Sequence, residues 1–160
     1  MLIRPATPAD AAAIAAIILP VIRDGATYAL DPGMGEAAAL AWWLGDDHEP
    51  FVAIDAGRVV GTYYLRANQA GGGAHVANCG YMTAGDATGR GFARAMAEHS
   101  FAHARARGFT AMQYNFVVST NDRAVRLWQS LGFAIVGRLP GAFIHPRHGP
   151  VDAYVMHRTL

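Results

Sequence analysis

A chain of 160 residues with a formal charge of +1 has room for one domain with a real core, and it lacks the dense cationic face that nucleic-acid binding needs. Hydrophobic residues make up 52% and charged residues 16%, which excludes a disordered chain. All 13 basic residues are arginine, which rules out a lysine nucleophile, a lysine Schiff base and a Walker phosphate loop; the lone Cys79 allows neither an internal disulfide nor a thiolate cluster for zinc.

The first ten residues, "MLIRPATPAD", lack the apolar segment of a secretory signal. The longest apolar run, "AAAIAAIILPVI", is broken by Pro20 and falls short of the roughly 20 residues a bilayer span takes. A cytoplasmic protein without a membrane or nucleic-acid partner is expected, with residues 1–160 forming one domain. Residues 2–5 predict a first strand. Thr7, Pro8 and Asp10 then mark a helix start, with the helix running to about Arg23. "GEAAALAWWL" predicts a second helix, and "FVAIDAGRVVGTYYLRA" a hairpin turning at Asp55–Arg58. A strand follows through "HVANCGYMT", then a glycine loop and a helix from about Gly91 to Arg107, stopped by Gly108. "TAMQYNFVV" is a strand and "NDRAVRLWQSLG" a short helix capped by Asn121. "AIVGRL" and "VDAYVMHRTL" are two closing strands joined through "HPRHGP". The order β-α-α-β-β-β-α-β-α-β-β predicts an α/β (α+β) fold. Its sheet is mixed, mostly antiparallel, of about six to seven strands, with helices on both faces and a central βαβ unit.

The loop within "GDATGRGFARAM" places Gly89 and Gly91 where backbone can approach an anion, just before the free amides of a helix N-terminus, with Arg90 and Arg94 nearby. A tight strand-to-helix turn would use the same residues, so the loop alone does not decide. Downstream, "NDRAVRLWQSLGF" supplies Asn121, Ala124, Trp128, Gly132 and Phe133. A loop of the form x-x-x-G-x-A followed by a strand and by N-x-x-A-x-x-x-(aromatic)-x-x-x-G-F resembles the GNAT superfamily of acyl-CoA-dependent N-acetyltransferases, and the element order matches that fold along essentially the whole chain.

The resemblance implies acetyl-CoA as co-substrate and no metal. Its pyrophosphate would lie on the loop at Thr88, Gly89, Arg90, Gly91, Phe92 and Ala93. Its pantetheine arm would lie along the backbone near Met82 and Thr83, with Asn121 and Trp128 on the other side. Two departures stand out. Thr88 replaces the usual loop-bracing Gln or Arg, and Trp128 stands where a tyrosine often serves as general acid, which an indole N–H cannot replace. The strand "HVANCGYMT" offers no carboxylate as base. Alternation puts Asn78 on one face with Val76 and Met82, and Cys79 on the other with Ala77 and Tyr81. Asn78 either pairs with a neighbouring backbone group or holds a substrate carboxylate or carbonyl.

Asn78, Asn115 and Asn121 together are similar to the branch acetylating proline analogues such as azetidine-2-carboxylate, in which the strand Asn grips the carboxylate and ordered water takes the proton. Asn78 and Asn115 are then the catalytic candidates. "IRPATPADAAAI" and "GATYALDPGMGEAAALAWW" are similar instead to phosphinothricin (methionine sulfoximine) acetyltransferases, with Tyr28 lining the substrate site. Both branches imply a small amino-acid-like amine and detoxification of amino-acid analogues. Phe143 is a candidate pocket wall. Acetylation of a protein N-terminus or an aminoglycoside, and a non-catalytic acyl-CoA sensor, are the rival readings. A reactive Cys79, a zinc pair at His99 and His103, and a substrate-covering loop at His145, Arg147 and His148 are weaker candidates, and the chain is expected as a monomer or homodimer.

Overall fold

The first turn of the chain is fixed by one carboxylate. In the computed structural model, which describes residues 1–160, Asp10 accepts hydrogen bonds from the Thr7 amide at 2.7 Å and the Thr7 hydroxyl at 2.9 Å. The same carboxylate takes a two-pronged contact from Arg4 at 2.7 and 2.8 Å. The capping pattern read from "TPAD" is therefore present, and it ties β1 (Leu2–Pro5) to the start of α1 (Ala11–Asp24). One short 3₁₀ turn, Pro8–Asp10, precedes α1.

Ile14, Ile18 and Ile22 recur at helical spacing on α1 and are fully buried. They pack with Trp43 of α2 (Glu36–Trp43) against Val52, Tyr64 and Met82 on one face of the sheet. The other face carries α3 (Phe92–Ala106) and α4 (Asp122–Ser130), whose Met96, Ala97, Phe101 and Trp128 close a larger core with Tyr63, Leu65, Met112 and Met156. Helices thus cover both faces.

The sheet has seven strands in the order β1-β2-β3-β4-β5-β7-β6, where β2 is Glu49–Asp55, β3 Arg58–Ala67, β4 Val76–Thr83, β5 Ala111–Val118, β6 Ala134–His145 and β7 Gly149–Thr159. Every neighbouring pair is antiparallel except β4 and β5. That parallel pair is brief, joining Val76 with Ala111 and Ala77 with Met112. Past these residues the two strands part, and the candidate site lies in the opening. One element differs from expectation: β6 runs through "PGAFIH" to His145 rather than ending near Leu139. Its register shifts between Leu139 and Phe143. An edge strand tolerates Pro140 there because its missing N–H is needed by no neighbour.

Arg4, followed by the Thr7 amide, holds the Asp10 carboxyl well below its ordinary value. A depressed folded value means stability that is present above the unfolded value, about 3.9, and lost as pH falls through the folded one. Asp10→Asn should cost about 1–2 kcal/mol at pH 7, and the gap to the parent should narrow at pH 3. Urea denaturation at the two pH values checks this; a gap that stays constant contradicts it.

Candidate active site

Where β4 and β5 part, the side chain of Asn78 spans the divide, its amide donating to the Gln113 carbonyl at 2.9 Å. One strand step beyond Gly80, the Tyr81 backbone faces the opening. The Tyr28 hydroxyl, from the loop after α1, bonds both its groups, accepting from the Tyr81 N–H at 3.0 Å and donating to the Tyr81 carbonyl at 3.0 Å. Burial holds the Tyr28 phenol well above its ordinary pKa, so it stays neutral. The Ala84 amide bonds Val60 on β3. By alternation, Thr83 and Tyr81 therefore turn their backbone groups to the opening, while Met82 turns its own toward β3. Of the pair Met82 and Thr83, only Thr83 has backbone groups free for a ligand there.

Two cavities meet at this point. Tyr28, Tyr81, Asn121, Ala124 and Trp128 line both. The larger, about 550 Å³, runs to the glycine loop. Gly89 and Gly91 adopt φ of 82° and 86°, the left-handed region that side chains avoid. The amides from Gly89 through Arg94 find no acceptor in the protein. This is the ordinary state of a helix N-terminus extended by a loop, and it fits a diphosphate. Thr83, Thr88, Phe92, Ala93, Arg94, Arg123 and Arg126 share this cavity, and no carboxylate does. The Thr88 hydroxyl donates to the Gly85 carbonyl at 3.0 Å, so it braces the loop itself. Arg90 turns away from the cavity and pairs with Asp55 at 3.0 Å.

The smaller cavity, about 290 Å³, lies toward α2 and is walled by Trp42, Tyr64 and Phe116. Asn78, Asn115 and Asn121 all line it. Each is already engaged: Asn115 donates to Asn68 at 2.7 Å and accepts from Gln113 at 2.9 Å, and Asn121 accepts from the Ala124 amide at 3.3 Å as the cap of α4. The backbone-pairing reading of Asn78 thus holds for its N–H, while its carbonyl oxygen makes no hydrogen bond within the protein and keeps some open surface. Gly80 lets the Tyr64 ring cross β4, since a Cβ there would lie 2.6 Å from the ring. Trp128 is mostly buried, its ring 5.1 Å from Tyr81 and 5.0 Å from Tyr114. Phe143 stands behind the wall, its ring 6.2 Å from Phe116, outside both cavities.

The remaining candidates are occupied elsewhere. His99 bonds the Tyr63 hydroxyl at 2.7 Å and His103 pairs with Glu49 at 2.8 Å. Trp43 is fully buried and donates to Thr62 at 3.0 Å. His145 is buried, and Arg147 reaches Asp24 at 3.2 Å. Tyr64 and Arg66 are cavity residues that the sequence pattern did not single out. Their signal was register, since Tyr64 lies opposite Gly80 and Arg66 opposite Asn78.

A sheet splayed at a single parallel pair, with a strand–glycine loop–helix unit beside it, defines the class of acyl-CoA-type transferase folds. The chain belongs to the acetyltransferase (GNAT) family, whose model matches residues 21–133. It is 31% identical over 98 residues to N-acetyltransferase aca1 of Schizosaccharomyces pombe, a match spanning 61% of this chain and 47% of that protein. The chain thus aligns with about half the length of that relative. Among solved structures, a GCN5-related N-acetyltransferase from Kribbella flavida superposes with a TM-score of 0.94 at 43% identity, covering 99% of this chain and 97% of that one. A phosphinothricin acetyltransferase from Sinorhizobium meliloti in complex with acetyl-CoA shares the fold, with a TM-score of 0.85 at 22% identity over 99% of this chain and 88% of that one. No helix of the chain is long and apolar enough to cross a membrane.

Burial pushes the Cys79 thiol up to about 12. At pH 8 the thiolate fraction is then on the order of 10⁻⁴, and native Cys79 should resist a thiol reagent such as DTNB until the protein is denatured. Stoichiometric labelling of the native protein within minutes would place Cys79 back among the reactive groups.

Proposed function

We propose that this protein transfers acetyl from acetyl-CoA directly to the amine of a small amino-acid-like substrate. The observation that carries this reading is the meeting of the two cavities at the parted strands. One is lined by free amides and three arginines without a carboxylate, and the other has a volume suited to an amino acid. With the pyrophosphate at the α3 N-terminus, the pantetheine arm runs along Thr83 and Tyr81. The thioester then lies at the junction, beside Tyr28, Asn121 and Trp128.

The amine lone pair attacks the thioester carbonyl, a C–N bond forms, the C–S bond breaks and CoA leaves as its thiolate. The Tyr81 N–H is the donor aimed at the opening, and it would stabilise the developing oxyanion once the Tyr28 hydroxyl yields it. No carboxylate and no histidine line the smaller cavity. The amine proton therefore passes to water held among Asn78, Asn115 and Asn121, since an amide cannot serve as base. A thiol of the cysteine type has a pKa near ~8.5, so the departing thiolate needs only water as its proton source. Trp128 packs the junction and donates no proton.

The three asparagines support a proline analogue such as azetidine-2-carboxylate as acceptor. The alternative is a phosphinothricin-type acceptor, supported by Tyr28 in the cavity wall and by the fold shared with phosphinothricin acetyltransferases. An aminoglycoside is disfavoured, because a polycation would meet no negative charge in that cavity.

Free-thiol release from acetyl-CoA, measured against azetidine-2-carboxylate, cis-4-hydroxyproline, phosphinothricin, an aminoglycoside and a short peptide, tests the reading. Turnover is expected for a cyclic imino acid. Asn78→Ala should raise the KM for that acceptor about 10-fold while leaving the acetyl-CoA Kd unchanged. Tight acetyl-CoA binding with no thiol release for any amine would instead establish a non-catalytic acyl-CoA sensor.

A further inference from the structure

Of all the buried polar side-chain atoms in the molecule, one lacks a hydrogen-bond partner: Nε of Arg66. Native proteins seldom leave such a group unpaired, because the lost hydration is not regained. Arg66 lies near the end of β3, directly opposite Asn78 on β4 and on the same face of the sheet. It lines the smaller cavity and is the only charged residue that does. Its Nη1 reaches Asp47 at 3.1 Å, and its Nη2 has no partner within the protein. Nη2 is therefore the donor left for a ligand, since Nε, though unpaired, has no surface open to a group entering the cavity. A carboxylate or a phosphinate accepts a charge-assisted hydrogen bond from Nη2.

We propose that Arg66 is the anion anchor of the acceptor site and restricts the enzyme to amines that carry an acid group close to the nitrogen. The acid group sits on Nη2 of Arg66 beside Asn78, the body of the substrate rests against Trp42 and Tyr64, and the amine points toward the junction. Arg66 is a specificity-determining residue, separate from the groups that face the reacting carbonyl. Asp47 does not compete strongly for it. That carboxylate is exposed, its side chain 67% accessible, and pairs of this kind contribute little in water. An acid group entering the cavity would lose water on both partners and gain a full positive charge with fixed geometry. The wall supports this placement: Tyr64 is stacked on His48 with ring centres 4.1 Å apart, and it is in edge contact with Trp42 at 5.9 Å, so the surface beside Arg66 is rigid and apolar.

This inference rests on the acetyl-transfer reading above, and the experiment separates the two. Thiol release is measured for wild type, Arg66→Gln and Arg66→Lys with two acceptors, L-azetidine-2-carboxylate and its neutral carboxamide. Acetyl-CoA Kd and thermal melting serve as controls for folding. Wild type should favour the carboxylate over the carboxamide by about 30- to 100-fold in kcat/KM. Arg66→Gln should abolish that preference through KM, and Arg66→Lys should restore part of it. An unchanged carboxylate-to-carboxamide ratio in Arg66→Gln overturns the anchor. If neither acceptor is turned over, calorimetric binding of azetidine-2-carboxylate decides. Binding by wild type that is lost in Arg66→Gln keeps the anchor and shows that this ligand is held without being acetylated, and no binding by wild type overturns the anchor.

Discussion

Adjacent parallel strands that stop pairing partway leave backbone donors and acceptors that something else must satisfy. In this protein β4 and β5 exchange a parallel ladder only as far as Ala77 and Met112. Everything functional follows from how the remainder of the edge is filled. Asn78 spends its amide on Gln113, and the Tyr28 hydroxyl takes both backbone groups of Tyr81. An extended ligand with its own amides can replace the second of these, since a pantetheine arm laid along β4 behaves as a missing strand. On the proposed reading the opening is a binding site because the sheet is incomplete there, and the two cores on either face keep it from closing.

Charge is divided along the same line. Beyond the junction, the α3 N-terminus with Arg94 of α3 and Arg123 and Arg126 of α4 forms a region without a carboxylate, which suits a polyanion. On the near side, a single arginine stands among aromatic rings and amides. On the proposed reading, the absence of acid or imidazole groups in the smaller cavity leaves the proton to water, and the neutrality of Tyr28 and Cys79 keeps both from acting as bases. Catalysis on such a site would come mainly from positioning two ligands at one junction and from the Tyr81 amide.

Much of this was legible in the sequence, because it depends on local chemistry. Thr7 and Asp10 mark a helix start wherever they occur in this spacing, Gly89 and Gly91 mark left-handed backbone before a helix, and Asn121 caps α4 as its position implies. The alternation along "HVANCGYMT" placed Cys79 with Ala77 and Tyr81 and left Met82 to the other face, as the two cores divide them, although Asn78 and Cys79 both reach the smaller cavity. What alternation within one strand cannot reveal is which residues of other strands lie alongside. Arg66 opposite Asn78 depends on the β3–β4 register, and Tyr64 across Gly80 depends on a contact between strands. Arg90, prominent beside its glycines, is drawn off by Asp55 from a turn that is distant in sequence. The length of β6 was missed for a similar reason: Pro140 reads as a break, but at a sheet edge it breaks nothing.

The most direct test of the account is a crystal structure with acetyl-CoA bound. The pyrophosphate should lie on the amides between Gly89 and Arg94. The pantetheine should run between β4 and β5, and the thioester carbonyl should accept the Tyr81 N–H in place of the Tyr28 hydroxyl. Acetyl-CoA bound outside the opening, with Tyr28 still on Tyr81, would contradict the claim that the parted strands are the reaction site.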